Sequence, residues 1–248
     1  MFTKKKIIFD TYLGEDADSF LNPPLPSKKV IPEWYKKIET LHNRDASQPS
    51  VKKCMPFLDA LSMGYTISTG WDIHIKKYQK EGVWNLEVSY APQVNEILTI
   101  KGLAIDSHSP NQFSEDGYNS DEIHVALKII SPWLITTPPG YSCIFLNPLN
   151  HTLPHFRIFS GVVDTDIYPH IAINFPCATK KFEGTTKTNP AGTPLAMVIP
   201  FKRDDWQIEV NYKKKKEEEV FAHTPRLILF KNMLDNYKNK IWNKKNFD

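Results

Sequence analysis

The sequence predicts a mainly β protein: a sandwich- or barrel-like core, preceded by a proline-rich strap and a helix, and closed by a C-terminal amphipathic helix. Three observations carry this. Short runs with an apolar residue at every second position recur between residues 71 and 212, the period-two pattern of half-buried strands. They follow one another at short intervals with turn residues between them, the layout of an all-β core. A stripe at alternating steps of three and four stands near the C-terminus, where one amphipathic helix is expected.

In chain order, Lys5 onward reads as a first strand. Asn22-Pro23-Pro24-Leu25-Pro26 is expected to lie extended across the domain surface, because each proline restricts the residue before it. Pro32 suits the first position of a helix running to about Asn43, with Trp34, Ile38 and Leu41 on a face opposite Lys36 and Lys37. Trp71, Ile73 and Ile75, then Trp84, Leu86, Val88 and Tyr90, alternate on either side of Lys80-Glu81-Gly82, a hairpin turn. Further alternating sets are Ile123 to Ile129, Ile171 to Phe175, Leu195 to Phe201 and, clearest of all, Trp206, Ile208, Val210 and Tyr212. Segments 107–120 and 178–192 are polar and turn-rich and read as surface loops. The block of four lysines and three glutamates at 213–219 neutralises itself and reads as a solvated strand end or turn. Thr224-Pro225 then supplies a cap and a first helical position, followed by the stripe Leu227, Phe230, Leu234, Tyr237 and Ile241, expected to dock on its own subunit. The organisation is a single domain with an N-terminal part (1–52), a β-rich core (53–212) and a charged turn with the closing helix (213–248).

With 41% hydrophobic and 12% aromatic residues, the 248-residue chain can bury a sizeable core. The net charge of +3 is too small to argue for a nucleic-acid partner. No apolar run approaches the roughly 18 residues of a membrane span. The basic start is followed by an apolar run too short for a secretory signal, so a cytoplasmic protein is expected. Cys54, Cys143 and Cys177 are odd in number and far apart, which fits reduced core thiols.

Three central segments belong together: Pro138-Pro139-Gly140-Tyr141-Ser142-Cys143-Ile144-Phe145, Gly161-Val162-Val163-Asp164-Thr165-Asp166-Ile167-Tyr168, and Gly192-Thr193-Pro194-Leu195-Ala196-Met197-Val198-Ile199. In order and spacing they resemble motifs of the trimeric dUTP pyrophosphatase and dCTP deaminase superfamily. Ala60-Leu61-Ser62-Met63-Gly64-Tyr65-Thr66-Ile67 is similar to that family's first motif, so the resemblance spans about 56–201. Together with Pro32-Glu33-Trp34-Tyr35-Lys36-Lys37, the Gly161 turn is also similar to a group of tailed-phage and bacterial proteins with no established function. The resemblance implies a β-clip fold, a homo-oligomer (a trimer in the family) and, in the family, metal-assisted nucleotide chemistry.

It also implies which positions would act. Asp164 stands where the family's turn aspartate orients the attacking water, and Tyr168 stands one residue beyond its base-packing tyrosine. Thr66 replaces the acidic residue of the first motif, and Met197 replaces the glutamine of the fourth. Asn147-Pro148-Leu149-Asn150 follows the strand where the second motif would bring an arginine and serines. Phosphoryl chemistry depends on positioning and charge stabilisation, so these replacements predict its loss. The first reading is therefore a non-catalytic structural or interaction protein, a phage virion or assembly component, with no cofactor and with protein partners. The alternatives are a divergent nucleotide pyrophosphohydrolase or deaminase built on Asp164 with Mg, and a nucleotide-binding sensor using Tyr168 and Gly161. In the first reading Asp164 and Asp166 hydrogen-bond their own turn and Gly161 supplies permissive backbone geometry. His151, His155 and His170 lack metal-ligand spacing, and His108 with Cys54 forms no nucleophile-base signature.

Overall fold

The computed structural model describes residues 5–11, 13, 21–45, 48–81, 83–100, 105–108, 123–152, 158–168, 172–178, 185–212 and 236–248. Thirteen strands lie among them, arranged in four antiparallel sheets. The largest has the order β10-β9-β13-β3-β2, built from Gly161–Val163 (β10), Tyr141–Leu146 (β9), Pro194–Lys202 (β13), Tyr65–Ser68 (β3) and Leu25–Pro26 (β2). A second sheet has the order β12-β4-β5, from Thr186–Asn189, Ile73–Lys80 and Val83–Ser89. A third has the order β11-β7-β6, from Ala172–Ala178, Ile123–Ile130 and Asp106–His108. The fourth pairs β1 (Ile8–Asp10) with β8 (Leu134–Thr136). The chain is mainly β, as its alternation predicts.

One core joins these sheets. Ile67 of β3, Ile73 and Ile75 of β4, Leu127 and Ile129 of β7, Ile135 of β8, Cys143 and Phe145 of β9, and Leu195, Ala196 and Val198 of β13 form a contiguous buried cluster. In the β4–β5 hairpin Lys80 stands opposite Val83 and Glu81 is at φ 53°, as a two-residue turn requires. β13 departs from simple alternation: Leu195, Ala196, Met197 and Val198 are all buried, because the strand lies inside a sheet covered on both faces.

Several expectations are corrected. The strap does more than cross the surface: Leu25 and Pro26 pair with Thr66 and Tyr65 as the edge strand β2, where a missing proline N–H costs least. The first helix, α1, covers only Glu33–Lys37 and stops at Ile38, whose backbone is extended. It buries Tyr35 and not the Trp34 face, because Tyr35 stacks on Phe57 at 5.9 Å and 15°. The core is not free of helices: Met55–Ser62 (α2, with a proline in its first turn) and Pro92–Ile100 (α3) interrupt the strands. Segment 107–120 begins within strand β6, and 178–192 contains strand β12. The charge block at 213–219 and most of the closing helix lie outside the described residues. The described part is Asn236–Lys240 (α4) with the tail behind it, and that tail docks on its own chain. Trp242 Nε1 donates to both oxygens of Asp59 on α2 at 3.0 and 2.9 Å, Lys245 bonds the same carboxylate at 2.7 Å, and Phe247 meets Tyr65 edge to face.

Two glycines illustrate opposite demands. Gly64 sits at φ 68°, and a Cβ there would lie 2.3 Å from the Val198 carbonyl oxygen, so the α2–β3 connection needs glycine. Gly161 is not in the left-handed region, and a Cβ there would meet nothing within 4 Å. The permissive geometry expected of it is absent.

Candidate functional site

The turn from Asp164 to Tyr168 is set by its own backbone: the N–H groups of Ile167 and Tyr168 both donate to the Asp164 carbonyl, at 3.0 and 2.8 Å. That fold places Asp164 and Asp166 beside the start of β9 and the end of β13. Arg203, the first residue beyond β13, binds both. Its Nη1 and Nη2 grip the Asp166 carboxylate at 2.8 and 2.5 Å, a bidentate pair, and Nη1 lies 3.2 Å from Asp164 Oδ1. Ser142 Oγ donates to Asp164 at 2.6 Å and accepts from Arg203 at 2.9 Å. The Gly140 N–H adds a bond to Asp166 at 2.8 Å, with Gly140 itself at φ 82°.

The two carboxylates therefore differ. The Asp166 side chain is only 6% exposed, whereas that of Asp164 is 56% exposed. The Arg203 guanidinium, followed by the Gly140 N–H, pulls the Asp166 carboxyl down to about 2. Beneath the pair, Thr137 Oγ1 and Thr165 Oγ1 are 2.7 Å apart, and the Thr165 hydroxyl donates to Cys143 Sγ at 3.3 Å. Burial pushes the Cys143 thiol up, away from the reactive thiolate. Ile167 and Tyr168 project outward, 77% and 59% exposed. Lys5 lies over the Tyr141 ring, 4.2 Å from its centroid, and bonds the Tyr141 hydroxyl.

The other motif positions are elsewhere. Thr66 and Met197 face each other across β3 and β13, fully buried, with Leu146 opposite Met197 on the far side. Asp164 bonds Ser142, four residues back along β9 from Leu146, which is about 13 Å of strand. The Thr66 hydroxyl is occupied by Ser27 Oγ at 2.9 Å. Asn147 bonds the Ile158 backbone through both amide atoms, at 3.0 and 2.9 Å, and so braces its loop.

Arg203 and its meeting with Ser142 were not anticipated. The signal for Arg203 is faint, a lone arginine just after a strand end, and only the register of β13 on β9 brings it to the turn. Among the described residues no group of three or more His, Cys, Asp or Glu could hold a metal ion. His151 is half-buried, and burial lowers its pKa. His155, His170 and the side chain of His108 lie outside the described residues, as does the side chain of Cys177. Cys54 is exposed, not part of the core. Apart from this site, a cavity of about 30 Å³ opens between Asn22, Ile67, Trp71 and Trp133, room for about two waters.

No family model matches the chain, and no curated protein matches it. Among solved structures it is similar to a mutant dUTPase from phage phi11 of S. aureus, described with a structural Mg(II) ion. The identity is 12% over 86% of this chain and 99% of that one, with a TM-score of 0.34. It is also similar to a mutant dUTPase of Staphylococcus bacteriophage 80alpha described with dUpNHpp, at 9% identity over 85% and 90% of the two chains and a TM-score of 0.35. A similarity this remote assigns neither a function nor a site to this chain.

Proposed function

We propose that the chain is a non-catalytic structural or interaction protein that works as a homo-oligomer, of the kind a phage virion or its assembly would use. One observation supports the reading: within one subunit, the positions that would act on a nucleotide lie apart. Thr66 and Met197 are buried in the sheet, and about 13 Å of strand separates their row from Asp164. Asp164 in turn is engaged by Ser142 and Arg203. The site's hydrogen bonds tie the β9 start, the Asp164 turn and the β13 end into one corner, which is a structural task. The virion setting rests on the sequence resemblance at 32–37 and 161–168 alone.

A second reading has one observation in its favour. Arg203 and Ser142 bring to Asp164 a cation and a hydroxyl, the two group types that a phosphate-binding site uses. The test separates the two. Purified protein is incubated with dUTP, dCTP and dTTP in the presence of magnesium, and pyrophosphate and ammonia are measured. No release is expected. Release that disappears in Asp164→Ala would replace the structural reading with a divergent hydrolase or deaminase.

A further inference from the structure

The charge of the chain is unevenly placed. Residues 27–59 and 236–248 hold eleven Lys and Arg against five Asp and Glu, whereas the rest of the chain has 20 against 23. The whole-chain value of +3, too small to name a partner, therefore combines a basic part with an acidic one. The fold gathers the basic part into one layer. Ser27–Lys29 forms a single helical turn that packs on α2, and the Ser27 N–H donates to the Gly64 carbonyl at 3.0 Å. A second turn, Val51–Lys53, leads into α2, and Lys52 Nζ donates to the Lys36 carbonyl of α1 at 2.9 Å. The tail lies on the same layer, held at Asp59 by Trp242 and Lys245 and at Lys28 by the ion pair with Asp248.

Three of the five acids are engaged within the layer. Glu33 is bound by Lys36, Asp59 by Lys245 and Asp248 by Lys28. That leaves Glu39 and the half-buried Asp45, which Gln48 bonds at 3.2 Å. Lys29, Lys37, Arg44, Lys238 and Lys244 are exposed and have no acidic partner among the described residues. Among these cations stands an aromatic ring. Trp34 is 38% exposed beside Lys36 and Lys37, and Tyr35 and Phe57 brace it edge to face at 5.7 and 6.0 Å. Cations that can take phosphates around a fixed ring that can stack a base are what a single strand of nucleic acid requires. A bilayer surface fits less well, because lying in it takes an amphipathic helix with its apolar face outward. Here α1 has five residues and buries Tyr35.

We infer that this layer binds a single-stranded nucleic acid, with Lys29, Lys37 and Lys244 on phosphates and Trp34 against a base. The surface is separate from the Asp164 corner. Ser27 follows β2, and β2 and β10 are the two opposite edges of the five-stranded sheet. Binding here needs no nucleotide chemistry at Asp164, and its loss would leave that corner intact.

Fluorescence anisotropy of the full chain with labelled oligodeoxythymidine and oligouridine, each about 20 nucleotides long, tests it at a site size set by such surfaces. Binding is expected at low salt. Raising the salt from about 50 to about 200 mM should weaken it by about 100-fold, the value for about five phosphate contacts on a single strand. Lys29→Glu/Lys37→Glu should weaken it at least about 10-fold and flatten the salt dependence. Lys76→Glu/Lys80→Glu on β4, the same change of charge outside the layer, should leave it nearly unchanged. Trp34→Leu should weaken binding by about 10-fold and leave the salt dependence as it was, as loss of one stacked base does. All four lysines are exposed, so far-UV circular dichroism of the two double variants should match wild type. The two oligomers tell DNA from RNA. No binding of either strand at low salt, or equal losses in the two double variants, would overturn the inference. So would capture by phosphatidylserine vesicles without strand binding, which would assign the layer to a membrane surface.

Discussion

Replacing Gly64 by alanine tests how the α2–β3 connection is seated against the central strand. Gly64 holds φ 68°, a conformation that costs an L-residue about 1–2 kcal/mol. The added Cβ would lie 2.3 Å from the Val198 carbonyl oxygen and 2.9 Å from Ile199 Cγ1. Val198 is fully buried in β13, which is hydrogen-bonded on both sides by β9 and β3, so it cannot give way cheaply. Overpacking of this kind costs about 1–3 kcal/mol, and the two terms together give about 2–5 kcal/mol. For a chain of this size that corresponds to a fall in Tm of about 5–20 °C. Urea and thermal unfolding followed by circular dichroism measure it, with Gly161→Ala as control. A Cβ at Gly161 meets nothing and its backbone is not left-handed, so that variant should stay within about 0.5 kcal/mol of wild type. If Gly64→Ala were equally silent, the close approach of the α2–β3 connection to β13 would be wrong.

Other outcomes follow from the corner and the tail. The Asp166 carboxyl is depressed to about 2 by Arg203, so its stabilisation is complete above about pH 4 and is lost as the pH falls from there towards 2. Wild-type Tm should therefore drop more steeply over that window than that of Asp166→Asn, and equal slopes would show that the Arg203 pair is not formed. Asp59→Ala removes the acceptor of Trp242 and Lys245, which should cost about 2 kcal/mol and expose the tail to proteases; unchanged cleavage would place the tail elsewhere. Arg203→Ala leaves Asp166 without its cation and should lower Tm more at pH 7 than at pH 2, where the carboxyl is half protonated.

Much of the β architecture was written in local sequence, because period-two alternation reports directly on a strand with one buried face. β4, β5, β7 and β13 sit where the alternating sets predicted them, and Lys80 opposite Val83 closes the β4–β5 hairpin. The strongest alternation, Trp206 to Tyr212, forms no strand in the isolated chain, since pattern specifies a strand but not where its partner is. The first helix is cut short at Ile38 because tertiary stacking of Tyr35 on Phe57, invisible to spacing, fixes which face is buried. Asp164 was visible as a candidate, but its partners were not. Ser142 and Arg203 lie 22 and 39 residues away in sequence and meet it only through the register of β9 and β13. Equally, the burial of Thr66 and Met197 is a property of the five-stranded sheet and not of their own motifs.

We propose that the corner around Asp164 joins elements of the fold and does not hold a nucleotide. Isothermal titration of the full chain with dUTP in magnesium, using a non-hydrolysable analogue alongside, tests this most directly. It covers both the hydrolase and the sensor. No saturable heat and no rise in Tm are expected with either ligand. Saturable binding that Asp164→Ala or Arg203→Ala abolishes would contradict it.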